Sequence, residues 1–84
     1  MFRIWAKVIR DDKIVKDLMY ENDGRFDTAD FEIYMSEICY QMDLPTPLTI
    51  FAHIRDFVEF NHHIYRPSDF VEAVDFDGLD IENC

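Results

Sequence analysis

The residues of this sequence that could do chemistry are three histidines, one cysteine in the middle of the chain and many carboxylates. His53, His62 and His63 are the only histidines, whereas a metal ion is held by three or four ligands in one place. His62 and His63 are adjacent, so an extended segment points them to opposite sides, and no Cys-x-x-Cys pair adds ligands. The sequence therefore predicts solvated loop histidines and no metal site.

The other chemical candidates also fall short of a catalytic or cofactor site. A Cys39 nucleophile with His53 as its base requires an exposed thiolate, yet Cys39 lies on the apolar face of the helix described below. Asp75 to Gly78 resembles part of a calcium loop, but aligning Gly78 at the sixth position places Cys84 at the twelfth, where an acid is required. No glycine-rich phosphate loop is present. We therefore expect no enzyme activity and no cofactor.

The strongest pattern in the chain is an amphipathic helix from Thr28 to Met42. Its apolar residues recur at helical rather than strand spacing, and they are Phe31, Tyr34, Met35, Ile38, Cys39 and Met42. Asp27 or Thr28 can cap its free N–H groups. Pro45 disfavours helical backbone in the residue before it, so the helix should end near Met42 or Asp43. Such a helix is stable only when its apolar face packs against a partner surface.

The same helix carries a second, smaller apolar stripe. Ile33 and Tyr40 lie seven residues apart on the side opposite the main face, with Asp30 and Glu37 beside them. A later segment could fold over this stripe, and single exposed apolar residues are also ordinary. The alternative is a surface that binds a partner or a second copy.

The N-terminal residues predict a β-hairpin that supplies the partner surface for the helix. Residues 2–9 alternate in the manner of a strand, and Ile14 to Tyr20 has the pattern of its partner. A three-residue loop sets Lys7 opposite Asp17, whereas a two-residue turn sets Lys7 opposite Lys16. We therefore favour the three-residue loop.

That register places Trp5 and Met19 on the outer face of the hairpin, away from the helix. Tryptophan is enriched among residues that dominate interfaces, so Trp5 is a candidate contact residue, with Met19 beside it. The alternative is that a later strand or helix packs on this face and makes a three-layer core.

The second half of the chain predicts shorter elements. Leu48 to Ile50 could form a short third strand, and Ala52 to Phe60 has the spacing of a short helix. Asn61 to Pro67 is expected to be a connection. Residues 68–73 could form one helical turn that begins with a capping box.

Residues 74–82 alternate acidic and apolar side chains, which indicates a final strand with an irregularity at Gly78. Its acids, Asp75, Asp77 and Asp80, would blunt an exposed sheet edge or contribute to a contact surface. Together these elements predict an α+β fold of two layers, with a mostly antiparallel sheet, in a single domain of residues 1–84.

Composition and charge limit the function classes. The chain has 84 residues, of which 49% are hydrophobic and 15% aromatic, so it should be folded rather than disordered. The net charge of -10 is concentrated in residues 21–44 and 67–84. Direct binding of nucleic acid is not expected, because phosphate contacts need a basic surface, whereas a basic protein partner is compatible.

The chain also lacks the signals of export. No apolar run is long enough for a membrane span, and the N-terminus lacks the apolar core of a secretion signal. Two cysteines cannot build a disulfide framework. We therefore expect a cytoplasmic protein that does not contact a membrane.

Three stretches of the chain are distinctive: RIWAKVIRDDKIVKD (3–17), EICYQMDLPTP (37–47) and VDFDGLDIE (74–82). Together they resemble a set of short, acidic bacterial proteins of uncharacterised function, over most of the chain and in the same order. The resemblance brings no catalytic residue or ligand with it. It implies a bulky residue in place of Gly78 and a slightly longer acidic tail, and at both points this sequence departs from the set.

Two functions follow as hypotheses. The first is a non-catalytic interaction or adaptor domain that binds a protein partner, or a second copy as a homodimer, through Trp5 or through Ile33 and Tyr40. The second is an acidic nucleic-acid mimic that occupies a basic groove on a DNA- or RNA-binding protein. The mimic requires the acids of the helix and of the tail to line one surface.

Overall fold

Four strands form one antiparallel sheet, and both helices pack against the same face of it. The computed structural model describes residues 1–84. The elements in chain order are β1 (Phe2–Arg10), β2 (Lys13–Asn22), α1 (Phe31–Met42), α2 (Phe51–Phe60), β3 (His62–Tyr65) and β4 (Gly78–Asn83), with 3₁₀ turns at Thr28–Asp30 and Pro67–Asp69. The strand order is β2-β1-β4-β3, which confirms the predicted α+β class. Neither helix has the length and apolar character that crossing a membrane requires.

The hairpin has the predicted register but not the predicted loop. Lys7 lies opposite Asp17, as the charge argument required. The connection is a two-residue turn in which Asp11 and Asp12 have φ angles of 53° and 63°, the left-handed backbone that matches the twist of a tight hairpin. Val15 is left without a partner, because the pairing shifts by one residue between Val8 and Ile9. This bulge converts a two-residue turn into the register of a three-residue loop.

The ends of α1 are set by groups that satisfy its free backbone atoms. The Asp27 carboxylate accepts a hydrogen bond from the Ala29 N–H at 2.9 Å and caps the turn that leads into the helix. At the other end Asp43 has left-handed backbone, with φ of 57°, and no glycine is needed. The Lys16 ammonium of β2 donates to the Met42 carbonyl at 2.8 Å. The hairpin thus supplies the positive charge that the helix itself lacks at its C-terminus.

Three predicted elements of the second half are placed differently. Leu48 to Ile50 is irregular, and the third strand is β3 in the segment predicted to be a connection. The predicted helical turn over residues 68–73 is instead the 3₁₀ turn of Pro67–Asp69. Residue 74 is irregular and residues 75–77 are bends, so the final strand is shorter than predicted and begins at Gly78. The physical reason is that β4 inserts between β1 and β3, and its residues 78–82 find hydrogen-bonding partners on one or both sides.

The core lies between the sheet and the two helices. It contains all six apolar residues predicted for the inner face of α1, packed against Ile4, Ala6, Val8, Tyr20, Leu79 and Ile81 of the sheet. Gly78 is buried at the start of β4, and a Cβ there would lie 3.0 Å from Ile64 Cγ2. Ile64 therefore occupies the space that a bulky residue at position 78 would need.

Candidate functional site

The outer face of the sheet is not covered by any helix, so the three-layer alternative is wrong. Trp5 and Met19 face each other across β1 and β2 on this surface, as expected. Trp5 is nevertheless engaged within the molecule, because its Nε1–H donates to Asp17 at 2.9 Å and the Lys7 ammonium lies 4.0 Å from its ring centroid. Trp5 is half-buried, whereas Met19 is 45% exposed.

Lys7 is the centre of an ion-pair cluster on this face. Its side chain is almost buried, and Nζ lies 2.9 Å from Glu82 and 3.8 Å from Asp80. The hydrogen bond from Lys7 lowers the pKa of Glu82 below its ordinary value. His62 Nε2 lies 2.9 Å from the other Asp80 oxygen. Asp80 is therefore a structural partner of two basic groups rather than a free acid.

The two other acids near β4 hold the hairpin turn. The Asp77 carboxylate accepts from the Asp11 N–H at 2.8 Å, and Asp75 lies 3.4 Å from Arg10. The prediction that these acids blunt an exposed edge is wrong, because both precede β4 and β4 is an inner strand. Their position ties the segment before β4 to the end of β1.

The second stripe of α1 faces solvent. Ile33 is 56% exposed and Tyr40 is 86% exposed, so no later segment folds over them. Asp30 occupies the N-cap position of α1, and Glu37 accepts a hydrogen bond from the Tyr20 hydroxyl. This stripe is available for contact, but it is a ridge on a convex helix.

A groove between α2 and the 3₁₀ turn before α1 was missed by the sequence reasoning. It has a volume of about 450 Å³ and is lined by Thr28, Ala29, Phe51, Ile54, Arg55, Val58 and Glu59. Phe51 is 76% exposed and Val58 is 52% exposed. The spacing of Phe51, Ile54 and Val58 indicated a short helix, but spacing alone does not show which apolar residues of a helix stay exposed. Only Phe57 of α2 is buried.

A histidine cluster on the other side of α2 was also missed. His53 of α2, His63 of β3 and Asp69 of the second 3₁₀ turn bring one nitrogen or oxygen atom each to within 4.8 Å of one another. The adjacent histidines do point to opposite faces, as expected, but neither lies in a loop, since His62 and His63 both belong to β3. These three residues are the group in the structure that could hold a metal ion.

The cysteine candidate for catalysis is buried. Cys39 lies in the core, and burial raises the pKa of its thiol to about 11. The thiol therefore stays protonated near neutral pH and is a poor nucleophile. Comparison with protein-family models, with curated proteins and with solved structures finds no match to this chain.

Proposed function

We propose that this chain is a non-catalytic protein-interaction domain that binds its partner in the groove between α2 and the 3₁₀ turn before α1. The observation that carries the proposal is the exposure of Phe51 beside an apolar concavity. Large aromatic residues at the centre of a contact contribute most of the binding energy, and a concave apolar surface lets a partner side chain lose its water completely.

The composition of the groove fits a protein partner. Phe51, Ile54 and Val58 are its apolar lining, and the charged residues Arg55 and Glu59 also border it. An apolar centre with a charged rim is the usual anatomy of a protein interface. Because the two rim charges have opposite sign, the groove itself does not select an acidic or a basic partner, and the acidic remainder of the surface favours a basic one.

The two surfaces expected from the sequence have weaker support. Trp5 is held by Asp17 and Lys7 and would have to give up these contacts to bind a partner. Ile33 and Tyr40 are exposed but line no concavity. Both have less support than the groove, and Tyr40 serves as the matched control for Phe51 because it is an exposed aromatic residue on a helix outside the groove.

The nucleic-acid mimic has no observation in its favour. Its acids would have to share one surface, yet Asp30 at the N-cap of α1 and Glu37 within α1 lie on one side of the sheet and Asp80 lies on the other. Four of the acids are already paired within the molecule: Glu37, Asp75, Asp77 and Asp80. The proposed role is therefore the binding of a protein partner, and we propose the cytoplasm as the place where it acts.

The test compares Phe51→Ser with Tyr40→Ser, since both remove an exposed aromatic ring from a helix. If a second copy is the partner, the molar mass from light scattering should rise with concentration for the wild type and for Tyr40→Ser, but not for Phe51→Ser. If another protein is the partner, a photo-crosslinking residue at position 51 should capture one defined protein in the source cell, and the same residue at position 40 should not. Capture should persist at high salt, because the contact is apolar. A wild-type monomer that yields no adduct specific to position 51 would rule out the groove.

A further inference from the structure

We propose that His53, His63 and Asp69 form a binding site for a divalent transition-metal ion, for which zinc is the best match. The site is separate from the groove, because the two use different sides of α2. Its ligands come from three elements that follow one another in the chain, namely α2, β3 and the 3₁₀ turn of Pro67–Asp69.

The first observation is the geometry of the cluster. His53 Nε2 lies 3.5 Å from Asp69 Oδ1, and the rings of His53 and His63 stack with their centroids 4.8 Å apart. Tyr65 is fully buried and packs against both rings, which closes the cluster on the side of the core. Ligand atoms around a tetrahedral zinc ion lie about 3.4 Å apart, given bonds of about 2.0–2.1 Å. The present spacing of up to 4.8 Å is wider than that value, so the three side chains must move closer together when the ion binds.

The second observation is independent and concerns His63. Its Nε2 atom is buried and has no hydrogen-bond partner, and only 10% of the side chain is exposed. Buried polar atoms without a partner are rare in folded proteins and call for an explanation. A metal ion bound to Nε2 provides one.

The surroundings of His63 prepare it as a ligand. Its Nδ1 lies 3.5 Å from Asp56, so a proton on Nδ1 faces a carboxylate and the lone pair on Nε2 remains free. A carboxylate behind a histidine is the common arrangement around metal-binding imidazoles.

The other two ligands, His53 and Asp69, each make one hydrogen bond through the atom that would not bind the metal. One Asp69 oxygen accepts from the Arg66 N–H at 2.8 Å, which fixes the carboxylate and leaves the other oxygen for the metal. His53 Nδ1 accepts from the Ile50 N–H at 3.2 Å, so binding through Nε2 moves the His53 proton to Nδ1 and frees that exposed N–H to water. Two imidazoles and one carboxylate form a set that suits zinc, with a fourth position left for water or for a ligand from a partner.

The experiment titrates zinc chloride into the full chain, freed of metal with a chelator, and measures stoichiometry by calorimetry and the melting temperature by circular dichroism. One zinc per chain should bind, and a zinc concentration a hundredfold above the dissociation constant should raise the melting temperature by about 10 °C or more. Asp56→Asn should weaken binding by about 10–100-fold, because it removes the carboxylate behind His63. Magnesium chloride should give no shift, since magnesium prefers oxygen ligands.

The controls use the neighbouring histidine and the exposed cysteine. His62→Gln and Cys84→Ser should bind zinc as the wild type does, whereas His53→Gln and Asp69→Asn should lose the tight site with the fold intact. His63→Gln should also lose the tight zinc site. If the His63→Gln protein does not fold, His53→Gln and Asp69→Asn provide the test. Failure of the wild type to bind zinc at about millimolar concentration overturns the proposal. Loss of binding in His62→Gln, or retention in both His53→Gln and Asp69→Asn, overturns it as well. Phe51→Ser should bind zinc normally, so the failure of one proposal leaves the other standing.

Discussion

Phe57 should be the residue on which the position of α2 depends. It is 2% exposed and is the only buried residue of that helix. Its ring packs against Phe31 and Phe26, with centroids 5.3 and 5.8 Å away. Truncation in Phe57→Ala removes both contacts and leaves a cavity, at a cost of about 3–5 kcal/mol. A domain of 84 residues has a total stability of about 4–13 kcal/mol, so this single change removes a large fraction of it.

The matched control is Phe51→Ala, six residues earlier on the same helix. Phe51 is 76% exposed, so its loss should change the free energy of unfolding by no more than about 0.5 kcal/mol. The assay is urea unfolding followed by the fluorescence of Trp5, the only tryptophan, which lies in the sheet and reports on the whole domain. With a urea dependence of about 1–1.5 kcal/mol/M, the midpoint of Phe57→Ala should fall by about 2–5 M.

Two outcomes would refute this reasoning. Equal midpoints for Phe57→Ala and Phe51→Ala would show that α2 is not anchored by the core. A larger loss for Phe51→Ala would show that the groove is closed in the native protein. Phe57→Leu is the fallback if the alanine variant does not fold, with an expected cost below about 1.5 kcal/mol.

Three further predictions concern single interactions. Lys16→Met keeps the apolar stem but loses the hydrogen bond to the Met42 carbonyl, so unfolding should show a loss of about 1 kcal/mol, whereas Lys13→Met should be neutral. Replacing Asp11 by Asn and Asp12 by Gly should stabilise the left-handed turn by about 1 kcal/mol and raise the melting temperature by about 4–8 °C, and a decrease would show that the turn is of another type. Burial lowers the pKa of His63 below 6.5, so the unfolded chain binds a proton at this histidine at a higher pH than the folded chain does. In the absence of metal, the contribution of His63 to stability is therefore fully present above about pH 6.5 and declines as the pH falls below it. His63→Gln should flatten the pH dependence in that window, and an unchanged slope would contradict the assignment.

Local sequence patterns predicted the elements whose physics is local. The spacing of Phe31, Tyr34 and Ile38 specifies the buried face of α1, because a helix with that face must cover it. The charges of Lys7 and Asp17 specified the hairpin register. The same argument could not predict the turn, because a two-residue turn followed by a bulge gives the same strand register as a three-residue loop.

The sites depended on contacts between distant parts of the chain. His53, His63 and Asp69 form a cluster only because β3 lies beside α2 and the 3₁₀ turn folds back onto both. A four-residue strand such as β3 is too short to be recognised by its own alternation, so the sequence predicted a connection there. The acids near the C-terminus were read as free for the same reason, because their partners Lys7, Arg10 and the Asp11 N–H lie in the N-terminal hairpin.

The sequence alone therefore determined that this protein is a small acidic α+β domain built from a hairpin and an amphipathic helix. The tertiary structure decided which apolar and titratable side chains face solvent, which face each other and which are buried. The physical reason is that periodicity specifies only the face on which a side chain lies. Which residues pack against that face is determined by the insertion of β4 between β1 and β3 and by the anchoring of α2 through Phe57.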